Sequence, residues 1–530
     1  MNKLLLSTAV TAVLFAGQAM AVPVGTLAFN ANGSPNVTDA YTKTVKEVWI
    51  SGSSAATPFV EKSIAADCTG NIYKYSNSTT DFTWICDSSI AASTINIVHK
   101  RDSGGSITGA QSALGTNPTY WQAASFTNTT CATATTSNGV TVVPCTPTGA
   151  TAAAHAGDIN LTDVDGAQFE SIPNGHVVGA AGTTATALAT QIFGVVVNTR
   201  LYAAMQVASV AAGKIASTCI GGITPGASSF TMPTDNTDAC MPSLTTEQIA
   251  AIAGKDRATD WWNLYFGGAD NTAQSLAGVQ YVDDQPANTD IHYCSRTAGS
   301  GTLAAFNIKF ENQCFTGNEA LSTNATQLIG AETDSTSGGQ KVVHAMSGSG
   351  DLENCLIGLN QGALQGTFTP YPSGVTGFRW AFGIMGLDRN NTVAKNYRFI
   401  KIDGFAPTAA NVAAGKYKFW AELVNLTSAS APLTTNPLAL DILANLGSAP
   451  QITALNVTHP FGLSGFLGTA TNVNYLPTFD TAISPGTLIN GAFDAARPVN
   501  PFTHAAAGGS SLNHCRMPSI PGGMRAIPAF

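Results

Sequence analysis

The stretch DIHYCSRTAGSGTLAAF, from Asp290 to Phe306, predicts a strand, a tight loop and a helix. Residues 291–294 are apolar enough to extend, whereas residues 297–301 are too small and too rich in glycine to do so. From Leu303 onward, apolar residues recur at helical spacing. A helix therefore begins near Ser300, where free backbone N–H groups and the positive end of the helix dipole favour an anion.

Side chains around this helix start add to the predicted anion preference. Ser300 and Thr302 provide hydroxyl donors, and Gly301 lies between them at the predicted helix N-terminus. Arg296 adds a fixed charge and a fork of donors four residues before Ser300. The alternative is an ordinary capped helix in an α/β protein.

The same loop resembles the Arg-x-Asp-Gly-Ser-Gly-Thr signature of the phosphate-binding proteins of bacterial phosphate ABC transporters. The acidic residue of that signature is Ala298 here. In the family, this carboxylate accepts the proton of bound hydrogen phosphate. The resemblance therefore implies an oxyanion without specifying phosphate. The matching residues are Arg296, Gly299, Ser300, Gly301 and Thr302.

Composition limits the class of protein. A chain of 530 residues can bury a sizeable core and is expected to hold more than one domain. The formal net charge of −8 argues against a nucleic-acid surface. This net charge still allows a small anion to bind, because the electrostatic potential in a pocket depends on local dipoles and one or two nearby cations. No Gly-x-Ser-x-Gly elbow, Walker loop or His-Glu-x-x-His pattern is found, so no enzyme class is indicated.

The first residues predict secretion. A short positive start, the apolar run 4–15 and the Ala-x-Ala site at 19–21 form a predicted signal peptide over residues 1–21. The run is too short to span a membrane, and no later apolar stretch reaches that length. We expect a mature chain without a membrane span, periplasmic or secreted to the cell surface. Residues 22–43 are predicted to be an N-terminal extension.

The ten cysteines fit an oxidising compartment. Their number is even and no Cys-x-x-Cys occurs, which favours disulfides over metal ligation or redox chemistry. Cys294, Cys314, Cys355 and Cys515 leave three possible pairings. Sequence neighbours suggest the bridges Cys68–Cys86, Cys131–Cys145 and Cys219–Cys240.

Two earlier loops repeat the strand, small-residue loop and helix pattern. The first follows the predicted strand 46–50 and resembles the family's Gly-Ser-Ser-Thr loop through Ser53 and Ser54, with Ala55 in place of threonine. The second follows the predicted strand 95–99, and resembles the family's Gly-Ser-Gly-Gly loop. Its matching residues are Ser103, Gly104 and Gly105, with Asp102 where a glycine is usual and with Lys100 and Arg101 nearby. Alternatively, each loop is a solvated, capped turn.

An acidic strand end follows. Thr162 and Asp163 resemble the family's Ser-Asp pair, whose carboxylate accepts a hydrogen bond from the protonated oxyanion. Asp165 could instead take the place of the aspartate in that pair. Together with Asp158, these carboxylates could instead bind calcium, although their spacing lacks the EF-hand pattern. We therefore predict no metal site.

The order of the motifs, over roughly residues 45–425, implies a two-lobed α/β fold of the periplasmic-binding type II class. Each lobe would have a mixed sheet flanked by helices, with the ligand in the cleft at helix N-termini. The buried strand 191–198 resembles the family's crossing strand, and residues 399–417 its return segment. Lobe one is predicted as 44–190 plus 390–530, and lobe two as 191–389.

The predicted function is a secreted or periplasmic solute-binding protein, not an enzyme, that takes up or scavenges phosphate or a similar oxyanion. The implied partners are the anion and an ABC permease, with no cofactor and no nucleic acid. The alternative is a cell-surface structural or adhesive protein that reuses the fold with a decayed site. A secreted hydrolase is a third reading, for which no nucleophile–base pair can be named. The predicted ligand-binding residues are Ser53, Ser54, Ala55, Ser103, Gly104, Asp163, Arg296, Ser300, Gly301 and Thr302.

Overall fold

The structure of the chain is a computed structural model. The predicted signal peptide, most of the extension 22–43, Cys314 and Cys515 lie outside the residues it describes. The described residues are 24–25, 28–29, 35–36, 41–42, 44–76, 78–116, 118–123, 130–137, 139–147, 150–169, 183–221, 236–254, 261–266, 290–311, 328–329, 341–366, 368, 377–390, 392–428, 434–469, 493, 495–496, 498–500 and 502–503.

Helices and strands alternate through most of the described chain. The helices are α1 (Thr57–Ala66), α2 (Ser106–Ala113), α3 (Thr199–Ala211), α4 (Thr246–Ala253), α5 (Trp261–Leu264), α6 (Gly301–Phe310), α7 (Ser349–Gln361), α8 (Ala409–Ala413), α9 (Pro437–Leu446) and α10 (Ala449–Leu455). The strands are β1 (Val24–Gly25), β2 (Ala28–Phe29), β3 (Pro35–Asn36), β4 (Tyr41–Thr42), β5 (Thr44–Gly52), β6 (Cys68–Ser76), β7 (Asp81–Ser88), β8 (Thr94–Arg101), β9 (Thr119–Ala123), β10 (Thr130–Cys131), β11 (Thr135–Ser137), β12 (Val140–Thr146), β13 (Ala150–Ala154), β14 (Ile159–Thr162), β15 (Thr183–Asn198), β16 (Ser243–Leu244), β17 (Ile291–Arg296), β18 (Leu328–Ile329), β19 (Lys341–Met346), β20 (Ala381–Gly386), β21 (Tyr397–Phe399), β22 (Lys401–Ile402), β23 (Trp420–Ser428), β24 (Val457–His459), β25 (Gly462–Ser464), β26 (Phe466–Thr469) and β27 (Val499–Asn500).

The first sheet is mixed and runs in the order β11-β12-β6-β7-β8-β5-β14-β23-β15-β26. In its middle, β8, β5 and β14 are parallel, with Ser51 opposite Arg101 and Leu161 opposite Gly52. Because parallel neighbours end at the same edge, the loops that follow these three strands meet there. Helices α1, α9 and α10 bury Phe59, Leu438 and similar residues against this sheet.

The second sheet runs in the order β18-β19-β17-β20-β15-β21. Strands β17 and β19 are parallel along their whole length, from Ile291 opposite Lys341 to Arg296 opposite Met346. Their following loops therefore also share one edge. Helices α6 and α7 bury Phe306 and Leu356 in the core on this sheet.

Strand β15 belongs to both sheets. It pairs with β23 as far as Ile192 and with β20 from Phe193 onward. Every residue from Leu188 to Asn198 is buried, as predicted for a strand covered on both faces. The α/β class and the two-lobed arrangement of two helix-flanked mixed sheets, as predicted, are confirmed.

One predicted lobe boundary differs from the sheet pairing. Strand β21 pairs with Val196–Asn198 in the second sheet, although residues from 390 onward were assigned to lobe one. The strand pairs with the part of β15 that lies in the second sheet, so the pairing of that sheet continues to Phe399.

Four disulfides occur among the described residues. Cys68–Cys86, Cys131–Cys145 and Cys219–Cys240 are the neighbour pairs suggested by the sequence. The fourth bridge, Cys294–Cys355, ties β17 to α7. In the part of the chain that the structure describes, no helix is long and apolar enough to cross a membrane.

Candidate functional site

The candidate site lies where the two strand edges face each other. Loops after β5, β8 and β14 approach from the first sheet, and the loops after β17 and β19 approach from the second. The side chain of Gln191, just before β15 changes sheets, donates to the carbonyl oxygen of Ala55 (3.0 Å). The site is therefore built next to the crossing strand.

Asp163 is the acidic centre of the site and is 2% exposed. Its carboxylate accepts hydrogen bonds from the Ser53 hydroxyl and, across the site, from Thr302 Oγ1 (3.5 Å). Its backbone N–H donates to Ser106 Oγ (3.2 Å). Burial raises the pKa of Asp163, while the Ser53 hydrogen bond and the charge of Arg296 oppose that shift. The carboxyl group thus lies between the Ser53 loop of the first sheet and the start of α6 on the second.

Arg296 is the basic centre and is 1% exposed. It donates to the carbonyl oxygens of Met346 (3.2 Å) and Ser347 (3.0 Å), and to the hydroxyls of Ser349 (3.5 Å) and Ser54 (3.4 Å). Burial lowers its pKa to about 10, while the charge of Asp163 opposes that shift. Within the described ranges, no carboxylate lies within 4 Å of the guanidinium.

Backbone donors converge on the same region. Ser300 caps α6, and its Oγ accepts from the N–H of Leu303 (3.4 Å). The first-turn N–H groups of Gly301 and Thr302 have no intrahelical acceptor, as at any helix start. Ser54 and Ala55 occupy the equivalent first positions of the 3₁₀ turn that leads into α1. These groups and Arg296 make an environment that favours a negative charge.

The structure corrects part of the second loop. Ser103 is half-buried, and its carbonyl accepts from Thr108 Oγ1 (2.6 Å), while Gly104 is exposed. Ser106, the first residue of α2, contacts Asp163 instead. Gly104 and Gly105, which lie between Ser103 and Ser106, both have positive φ, 86° and 75°, a conformation that favours glycine. The only sequence signal for Ser106 is its place directly after the glycine pair.

The two sides of the site touch each other. The N–H of Ile107 in α2 donates to the carbonyl oxygen of Gly299 on the opposite loop (2.9 Å). An added Cβ on Gly105 would lie 3.3 Å from Ser300 Cα, and one on Gly301 would lie 2.7 Å from Asp163 Oδ2. Glycine at these two positions therefore permits the close approach, and the site is enclosed.

The remaining acidic candidates lie apart from this cluster. Asp165 accepts from the N–H of Ala167 (3.1 Å) and caps the turn Gly166–Phe169. Asp158 accepts from the N–H of Trp49 (2.9 Å) at the start of β14. Among the described residues, no group of three His, Cys, Asp or Glu side chains could hold a metal ion. Ala298 is half-buried and packs against the core.

Comparisons with known proteins give structural likenesses only. No protein-family model and no curated protein matches the sequence. A phosphate ABC transporter substrate-binding protein from Clostridium perfringens, with bound phosphate, has 13% identity and a TM-score of 0.36. An ABC-type phosphate transport receptor from Vibrio cholerae has 14% identity and a TM-score of 0.33. PstS from Borrelia burgdorferi has 11% identity and a TM-score of 0.30. Each comparison covers 77% of this chain and 96% of the other.

Proposed function

We propose that this chain binds a small tetrahedral oxyanion, phosphate or a phosphate-like ion, between its two sheets. The binding would serve ABC-type uptake or scavenging outside the cytoplasmic membrane. Arg296 and the N–H groups at the start of α6 would bind the ligand from one side. The N–H groups of Ser54 and Ala55, with the hydroxyl of Ser106, would bind it from the other.

The single observation that carries this proposal is the environment of Arg296. Its guanidinium is 1% exposed, and its four described protein contacts are to neutral oxygens. Asp163 acts on this charge electrostatically from beyond 4 Å, and a buried charge without a direct ion pair costs several kcal/mol. An anionic ligand that accepts charge-assisted hydrogen bonds from Arg296 would offset that cost, at about 1.5–3 kcal/mol for each bond.

Asp163 would select the protonation state of the ligand. Its carboxylate faces the same helix start, through Thr302, from which the donors come. A monoprotonated oxyanion can donate a hydrogen bond to this carboxylate. A fully ionised oxyanion has no proton to donate, so its oxygen and the carboxylate oxygen, both acceptors, repel each other. This favours hydrogen phosphate or hydrogen arsenate over sulfate. Because the acidic position of the resembled signature is Ala298 here, we assign this role to the carboxylate of Asp163.

Calorimetric titration with phosphate, sulfate and arsenate at pH 5 and pH 8 tests the proposal. We expect micromolar or tighter binding of phosphate, and at least about a hundredfold loss in Arg296→Gln, because more than one charge-assisted bond is removed. Arg101→Gln is the matched control, since Arg101 is the last residue of β8 in the first sheet and has a described ion pair with Asp81 at 3.9 Å. Equal affinity in wild type and Arg296→Gln would refute the site.

The alternative function is a structural or adhesive protein that keeps the fold without a ligand. The specific observation in its favour is the bond from Ile107 to Gly299, because it uses a helix N-terminal donor for contact between the two sides. Absence of binding for all three anions would favour this alternative. Genes for a permease and an ATPase beside this one would favour transport, and surface-assembly genes would favour the alternative.

A further inference from the structure

Lys100, at the end of β8, is a buried lysine next to the Ser53 loop and is 1% exposed. Its ammonium donates to the carbonyl oxygens of Gly52 (3.1 Å) and Ser53 (3.1 Å) and to Thr57 Oγ1 (3.0 Å). It also forms an ion pair with the carboxylate of Asp102. An ammonium has three N–H bonds, and here four oxygens surround it. No N–H bond of Lys100 is left to bind a ligand directly.

The carbonyl contacts determine where the neighbouring N–H groups point. In a trans peptide, the C=O of one residue and the N–H of the next face opposite ways. Holding the Ser53 carbonyl on Lys100 therefore turns the N–H of Ser54 away from Lys100. Holding the Gly52 carbonyl turns the N–H of Ser53 toward Leu161, whose carbonyl oxygen accepts it (3.0 Å).

The far end of the same loop is held in a similar way. Gln191 donates to the carbonyl oxygen of Ala55, and the N–H of Ala56 donates to Ser53 Oγ (3.2 Å). The carbonyls of Gly52, Ser53 and Ala55 are thus all bound to protein donors. The loop is left with its N–H groups, rather than its carbonyls, available to an anion.

We propose that Lys100 is a positioning residue of the oxyanion site, which orients the Gly52–Ser53 peptides so that the N–H of Ser54 faces the ligand. The inference rests on the proposed function. It assigns Lys100 no contact with the ligand, because oxygens of Gly52, Ser53, Thr57 and Asp102 already surround its ammonium. Thr57 completes the unit by donating to Asp102 Oδ2 (2.6 Å).

The pairing also accounts for a departure in the sequence. Asp102 stands where the resembled loop has glycine, two residues after Lys100. A buried lysine without a carboxylate would be costly, so the two residues belong together. A single substitution at either position would leave an unpaired buried charge, and the test therefore needs both changes at once.

The test compares wild type with the charge-neutral double variant Lys100→Met/Asp102→Asn. Lys62→Met is the control, because the described hydrogen bond of this α1 residue is to the Gly139 carbonyl (3.2 Å). Two quantities are measured well below the melting temperature: phosphate affinity, and amide exchange of the segment 52–57. We expect affinity to fall at least about tenfold and exchange to accelerate in this segment but not at the start of α6.

The two readouts separate this inference from the proposed function. If wild type binds phosphate and the double variant binds it equally well, Lys100 has no positioning role. If wild type binds no oxyanion, the proposed function fails, and the amide exchange of segment 52–57 alone tests whether Lys100 orients the loop. Local acceleration in 52–57 would then support the orientation of the loop by Lys100, and unchanged or uniformly faster exchange would overturn it.

Discussion

Replacing Asp163 by Asn should shift the ligand preference of the site from phosphate toward sulfate. The side chain is 2% exposed and accepts from Ser53 on one side and Thr302 on the other. As a carboxylate it can accept the proton of hydrogen phosphate, and as an amide it can donate instead. Losing one hydrogen bond to a charged group costs about 1.5–3 kcal/mol, which is roughly a ten- to hundredfold weaker affinity for phosphate.

Sulfate should respond in the opposite direction. The amide of Asn removes the repulsion between the Asp163 carboxylate and a fully ionised ligand and adds a donor. A gain similar in size to the phosphate loss would lower the phosphate-to-sulfate affinity ratio by about a hundredfold or more. Competition calorimetry at pH 8 measures both constants. Asp158→Asn is the control, because this carboxylate binds the Trp49 N–H in the same sheet but lies outside the site.

Stability provides an independent check on the same variant. Burial raises the pKa of Asp163, so its ionised form disfavours the folded state at any pH above the folded-state pKa. That penalty disappears as pH falls and the group is protonated. Asp163→Asn should therefore raise the melting temperature more at pH 8 than at pH 5. An unchanged phosphate-to-sulfate ratio in a variant that folds normally would refute the placement of Asp163 against the ligand.

Two further predictions concern packing and titration. Gly301→Ala places a Cβ 2.7 Å from Asp163 Oδ2 and should weaken phosphate binding by about tenfold, as measured by calorimetry. Gly350→Ala is the control, because nothing lies within 4 Å of the added atom. Equal losses of affinity in both variants would contradict the steric reasoning. Burial raises the pKa of Asp67 to about 6, so its carboxylate costs stability above that pH and the cost is lost as pH falls toward 4. Asp67→Asn should therefore stabilise the protein by about 1 kcal/mol at pH 8 and by much less at pH 4. Thermal unfolding at both pH values measures this, and an equal effect at both would show that the carboxyl group does not titrate as described.

Local patterns in the sequence predicted much of the site. A strand followed by small residues and a helix places Arg296, Ser300 and Thr302 at one helix start, and this needs no knowledge of distant contacts. The structure keeps Ser300 as the cap of α6. Asp163 was predicted from its resemblance to the family's Ser-Asp pair, with Asp165 as the alternative, and it directly follows β14.

The second loop shows what a local pattern cannot supply. Ser106 rather than Ser103 makes the described contact with Asp163, and two residues with positive φ, Gly104 and Gly105, separate the two serines. The role of Lys100 was also out of reach, because it depends on parallel pairing of β8 with β5. That pairing brings the lysine beside the carbonyls of a loop almost fifty residues earlier.

The four described disulfides have a consequence for how the chain matures. Cys68–Cys86 and Cys131–Cys145 join strands of the first sheet, and Cys294–Cys355 joins β17 to α7 on the second. Cys219–Cys240 closes a loop between α3 and α4. None of these four bridges spans the two sheets, so each can form within a single half of the fold. Covalent cross-linking can then be complete for these pairs before the halves dock, and docking stays reversible.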